Sequence, residues 1–136
     1  MSAGPQHSIR IQNLSKRFGS TTALKPTTLT VESGEFLTLL GPSGSGKSTL
    51  LNLISGAIAP SEGQIFLDGR DLTHVPPRDR GIGMVFQNYA LMPHMTVFDN
   101  VAYPLRIRKN SASEIKRKVA EALDRVGLTG FEDRKP

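Results

Sequence analysis

Gly41, Gly46, Lys47 and Ser48 stand in the spacing G-x-x-x-x-G-K-[ST], inside the stretch LLGPSGSGKSTLLNLISG. Residues of these types, so spaced, suit one kind of chemistry. Glycines let a short loop curl with its amide N–H groups turned inward, free of Cβ clashes. A helix that starts near Lys47 adds unpaired N–H groups and a partial positive charge at its first turn. The lysine supplies a compact cation, and the serine hydroxyl supplies a hard oxygen for a magnesium ion. Together these describe a phosphate loop, with Lys47 reaching the β- and γ-phosphates and Ser48 ligating Mg2+. The loop alone does not separate ATPases, GTPases and small-molecule kinases.

A second candidate lies in GMVFQNYALMPHMTVFDNV, where Gln87 ends an apolar run. A side-chain amide at that place is able to orient a water molecule or touch a metal ion, as a glutamine does in other nucleotide hydrolases. An ordinary polar strand end is the competing reading, and the position by itself leaves both open.

The elements that must hold these residues are legible from patterning. FLTLL, Phe36 to Leu40, is a short apolar run that suits a strand buried on both faces, as in a parallel sheet. It would feed the glycine loop from one side. KSTLLNLI carries Leu50, Leu51, Leu53 and Ile54 at helical spacing, with Gly56 as the stop. SIRIQNLSKRF alternates through Ile9 and Ile11 as a half-buried strand, and TALKPTTLTV reads as a second strand whose Pro26 marks an edge or bulge. QIFLDGRDL is a strand closed by an Asp-Gly turn, VPPRDRG a loop, and IGMVFQ another strand of the buried type. A helix-like segment begins near Thr96 as N-cap. SASE, Ser111 to Glu114, fits a capping box, after which Ile115, Val119, Ala122, Leu123 and Val126 share a face and Gly127 closes it.

Composition narrows the class. The chain has 136 residues, enough for one ordinary domain, and its 38% hydrophobic and 21% charged residues read as a soluble, globular chain and not a disordered one. With no cysteine there is neither a disulfide framework nor a thiolate metal site. MSAGPQHS lacks the basic and apolar regions of a secretory signal, and no apolar run approaches the roughly 20 residues of a membrane span, so a cytoplasmic location is expected. Much of the net charge of +5 falls late, on Arg106, Arg108, Lys109, Lys116, Arg117 and Lys118, and reads as a solvated helix face. Aromatics do not interleave that run, which speaks against nucleic acid as a partner.

Taken together, the glycine loop and the Gln87 segment resemble the ATP-binding subunit of ATP-binding cassette (ABC) transporters, over nearly the whole chain. KRFG matches the family's aromatic loop, GPSGSGKST its Walker A loop, and VFQNYALMPHMTVFDNV its Q-loop and the surface that meets the membrane subunits. The resemblance implies ATP and Mg2+ as cofactors. Phe18 would stack on adenine. Gly41, Pro42, Ser43, Gly44, Ser45, Gly46, Lys47, Ser48 and Thr49 would cradle the phosphates. Lys47 and Gln87 would be the catalytic residues, and Ser48 and Gln87 the metal ligands. It further implies a second copy of the ATPase subunit, transmembrane permease subunits near residues 88–95, and, indirectly, a solute-binding protein. The subunit would sit on the inner face of the cell membrane and power solute import. PPRDRGIGMVFQ is more like importers of polyamines, sugars and related solutes than exporters.

The fold implied is α/β, a phosphate-loop NTPase with an N-terminal antiparallel β portion, an incomplete parallel core and the start of a helical subdomain. Its divisions would be a flexible N-terminus over 1–8, the β portion with both nucleotide loops over 9–95, and helices over 96–136. IFLDG imitates a Walker B strand, but Asp68 before Gly69 is better read as turn chemistry. His94 does not occupy the family's switch position, His7 and His74 read as surface residues, and Met84, Met92 and Met95 as packing. No signature motif, Walker B pair or switch histidine occurs in these 136 residues. The expectation is therefore nucleotide binding by this stretch, with hydrolysis belonging to the complete protein. The rivals are a soluble ABC protein acting on DNA or ribosomes, a phosphate-loop kinase or GTPase, and an incomplete binding module without activity of its own.

Overall fold

The computed structural model describes residues 8–136; apart from Ser8, the flexible N-terminus expected over 1–8 lies outside the described residues, as does His7. The chain divides into two compact units at Met84/Val85.

In the first unit, β1 (Ile9–Phe18) and β2 (Thr21–Val31) form a long antiparallel hairpin, and β3 (Glu62–Leu67) and β4 (Arg70–Asp71) a short one. They make one sheet in the order β2-β1-β3-β4. β2 is an edge strand, and the register shifts between the Leu14↔Thr27 and Lys16↔Leu24 pairs. Pro26 falls inside that irregularity, where its missing N–H breaks no ladder bond. Asp68 (φ 52) and Gly69 (φ 79) turn β3 into β4, which settles Asp68 as a turn residue.

Helix α1 (Lys47–Ser55) lays Leu50 and Leu53 on one face of the sheet, against Ile11, Leu14, Leu24 and Ile65. This apolar cluster is the core that anchors the glycine loop.

Two expected strands are not formed. Phe36 to Leu40 and the run 82–87 carry no strand pairing, and Phe36 (92%), Leu40 (89%) and Val85 (85%) are among the most exposed apolar side chains. A strand buried on both faces takes its ladder bonds from flanking strands and its cover from helices on either side. Neither run meets such partners among the described residues, so the parallel part of the sheet is missing there and every strand pair is antiparallel.

The second unit holds α2 (Val97–Ile107) and α3 (Ala112–Arg125), packed through Ala102, Ile115, Val119 and Leu123. Thr96 caps α2 by accepting from the Asp99 amide, and the Ser111–Glu114 capping box is present in both directions. Val126, expected on the apolar face, is 66% exposed. It is the cap residue of α3, with φ −111, and so leaves the helical phase. Of the late basic residues, Arg106, Lys116, Arg117 and Lys118 lie on α2 and α3, whereas Arg108 and Lys109 fall in the turn after α2 and not on a helix face; Arg106 pairs with Asp99 and Arg117 with Glu121 at 2.7 Å each.

Candidate functional site

The glycine loop enters α1 through Gly46, whose φ of 91 lies in the left-handed region. A Cβ there would come within 3.0 Å of Leu24 Cδ1 and 3.1 Å of the Ala23 carbonyl, so glycine answers both a backbone and a packing demand. The helix has no acidic residue in its first turn and no side-chain cap at its N-terminus. Its leading N–H groups therefore keep their capacity for an anion.

Lys47 folds back over the loop. Its Nζ donates to the carbonyls of Gly41 and Pro42 at 2.7 Å and to Ser45 Oγ at 2.9 Å, while the Ser45 amide donates to Pro42 at 3.2 Å. The cation is thus held at the mouth of the loop by neutral acceptors, and among the described residues no carboxylate pairs with it. In front of it lies an open cavity of about 450 Å³ lined by Thr21 to Ala23 and Ser43 to Thr49. That volume is on the scale of small-ligand sites, and the lining is rich in hydroxyls and amides. Ser48 and Thr49 are among the lining residues, and a serine hydroxyl is a hard oxygen of the kind that Mg2+ accepts beside phosphate and water.

Phe18 ends β1 directly opposite Thr21, one of the cavity-lining residues, and is 54% exposed. Gln87 is described within the second unit. It is exposed, in a tight bend where the Tyr89 amide donates to Phe86 at 2.9 Å and Tyr89 and Ala90 take φ of 58 and 51. Downstream, Asn100 pins the chain from Met92 to Thr96. Its Nδ2 donates to the carbonyls of Met92, Met95 and Thr96, and its Oδ1 accepts from the Met92 amide. His94 and His74 are exposed.

The far end of α1 is clamped by a residue that sequence patterning missed. Arg80 is 4% exposed. Its guanidinium donates to Leu53 and Ile54 at 2.8 Å, to Val75 at 2.7 Å and to Thr73 at 3.3 Å. A cation at a helix C-terminus is favoured by the helix dipole. Burial pulls its pKa below the usual arginine value. Gly56, with φ 83, leaves room for it, since a Cβ would meet Arg80 Nε at 2.5 Å. In the sequence Arg80 sits in a proline-rich loop, and its partners lie up to 27 positions away.

Comparison with known proteins accords with this geometry. The profile of the family described as ABC transporter matches residues 24–136. The spermidine/putrescine import ATP-binding protein PotA of Nitrosospira multiformis is 51% identical over 128 residues, covering 94% of this chain and 35% of that protein. The Fe(3+) ions import ATP-binding protein FbpC of Escherichia coli O157:H7 is 52% identical over 126 residues, covering 93% and 36%. The sulfate/thiosulfate import ATP-binding protein CysA of Synechococcus elongatus is 52% identical over 128 residues, covering 94% and 37%. The chain thus spans about a third of the length of these relatives. A solved structure, the post-hydrolysis dimer of the ATP-binding cassette MJ0796 bound to ADP and Pi, superimposes with a TM-score of 0.81 at 34% identity, over 94% of this chain and 61% of that one. By its matched residues and its fold, the chain belongs to the ABC transporter family and forms part of that family's ATP-binding domain.

Proposed function

We propose that this chain binds Mg2+-ATP through the loop Gly41–Thr49, and that the complete protein hydrolyses ATP to power solute import. The observation that carries the reading is the Lys47 ammonium, gathered at the mouth of a glycine-capped helix N-terminus over an open cavity. A triphosphate seated there takes the inward amides of the loop, the charge of Lys47 and the leading N–H groups of α1. Ser48 would hold the Mg2+ with phosphate oxygens, the metal serving to neutralise charge on the transferred group. Phe18 supplies the aromatic face for the base, and Gln87 joins as catalytic residue and metal ligand.

The relatives' names support the wider role. Each is an import ATP-binding protein, so the partners assigned are a second copy of the subunit and membrane permeases, with a solute-binding protein acting indirectly. The assigned place is the cytoplasmic face of the membrane; among the described residues no helix is long and apolar enough to cross it. A polyamine-like solute stands level with ferric ion and sulfate, since relatives named for each are equally similar.

The test is calorimetric titration of the full chain with Mg2+-ATP. Lys47→Ala removes a cation whose hydrogen bonds to charged groups are worth about 1.5–3 kcal/mol each, so affinity should fall on the order of tenfold or more. Lys47→Arg should not restore it, because a planar fork does not replace a compact ammonium inside a tight loop. Unchanged binding by Lys47→Ala overturns the assignment.

A further inference from the structure

We propose that Lys16 is a positioning residue for base recognition: its ammonium, anchored on the Ala59 carbonyl, backs one face of the Phe18 ring and leaves the other for the nucleotide's base. The inference rests on the reading of this site as an ATP site.

Residues two apart on a strand share a face, so Lys16 and Phe18 are neighbours on the same side of β1. The Lys16 ammonium lies 4.9 Å from the centroid of the Phe18 ring, within cation–π range. The same nitrogen donates to the Ala59 carbonyl at 2.7 Å. A flexible four-carbon side chain is thereby fixed at its tip, and no carboxylate among the described residues draws it away. The ring thus carries the ammonium over one face. It remains 54% exposed, which is a large free area for an aromatic with no apolar cluster around it.

The anchor is part of a longer tie. The chain leaves α1 at Gly56 and passes Ala59 to Ser61, where the Ser61 amide donates to Ser15 at 2.9 Å and Ser61 Oγ accepts from the Arg17 amide at 3.0 Å. Three bonds therefore join this strap to Ser15, Lys16 and Arg17, immediately before Phe18. The helix whose N-terminus faces the phosphate cavity is thus linked at its other end to the strand end that carries the aromatic ring. Lys16 contributes the one link in that tie that touches the ring itself. A cation on the rear face also polarises the π-system, which favours stacking of an electron-rich purine on the open face.

The experiment compares two ligands by calorimetry in the full chain, Mg2+-ATP and Mg2+-tripolyphosphate; the second has the phosphates without the base. Lys16→Met keeps the alkyl stem and loses the ammonium. It should weaken ATP about two- to fivefold, the scale of an exposed cation–π contact, and leave tripolyphosphate binding unchanged. Lys16→Arg keeps a cation and a donor and should keep the preference for ATP. In a Phe18→Leu background, Lys16→Met should cause no further loss. Equal loss of both ligands, unchanged ATP affinity, or an undiminished loss in the Phe18→Leu background each overturns the proposal. Those outcomes are separable from failure of the site itself, which is read by Lys47→Ala: loss of binding there with no effect of Lys16→Met leaves the ATP site standing and removes only the role of Lys16.

Discussion

Replacing Arg80 by methionine tests how the phosphate-loop helix is held from behind. The substitution roughly preserves the stem and deletes a guanidinium that donates to the carbonyls of Leu53, Ile54, Thr73 and Val75. Leu53 keeps a bond from the Gly56 amide at 3.1 Å; the other three carbonyls lose their guanidinium donor. A buried acceptor left unpaired costs about 1–3 kcal/mol, so the gross loss is on the order of 3–9 kcal/mol. Against this stands the relief of no longer burying a cation, itself several kcal/mol. The net expected is about 3–5 kcal/mol, the usual result of breaking a buried charged network from one side. That is about a fifth or more of the stability of a typical domain. Arg80→Lys keeps the charge but not the fork that spans two helix carbonyls and a loop, and should lose roughly half as much. Urea unfolding of the full chain, followed by far-ultraviolet circular dichroism, gives the answer. At a slope of about 1.5–2 kcal/mol per molar, Arg80→Met should lower the midpoint by about 2 M with the slope unchanged. A shift under about 0.5 M would refute the reasoning, since it would mean that the carbonyls find water and that α1 needs no clamp.

Two further outcomes are expected. In the assembled transporter, Gln87→Ala should slow hydrolysis far more than it weakens ATP binding, because contacts made mainly in the transition state govern turnover; parallel loss of both in single-turnover and binding assays would make Gln87 a structural bend residue. Acid should weaken the helical unit: hydrogen bonds from Arg106 and Thr96 hold the Asp99 carboxyl below its usual range, and the Ser111 amide and hydroxyl do the same for Glu114. Both groups therefore contribute stability that is present above the unfolded carboxylate pKa and lost as pH falls through the lower, folded value. A thermal melt series from neutral to acid pH should lose that sensitivity in part in Asp99→Asn/Glu114→Gln, and an unchanged pH profile would refute the attribution.

What was legible in the sequence was local. The caps at Thr96 and Ser111, the stop at Gly56 and the turn at Asp68–Gly69 each depend on residues within four positions, and each is formed. The glycine loop belongs to the same class, because its curl and its lysine are specified within nine residues. Phe36 to Leu40 is different. Its apolar pattern states a preference for burial, but pairing and cover must come from elsewhere in the fold, and the described residues do not provide them. Arg80 was illegible for a related reason: its role is set by carbonyls of a helix that begins 33 residues earlier, and backbone acceptors leave no mark in a sequence. Lys16 carried a faint signal, as the partner two before an aromatic on an alternating strand, yet only the Ala59 carbonyl shows where its charge rests.

The boundary at Met84 has a consequence for the order of events during synthesis. Everything that braces the glycine loop, including both hairpins, α1, the strap through Ala59 and the Arg80 clamp, lies upstream of that point. Chains emerge from the ribosome at about 5–20 residues per second and tend to fold domain by domain from the N-terminus. The bracing of the phosphate seat can thus form before α2 and α3 have left the ribosome. In that interval a newborn chain would present the braced loop beside the uncovered Phe36 and Leu40, open to nucleotide and to chaperone alike before the unit that carries Gln87 has folded.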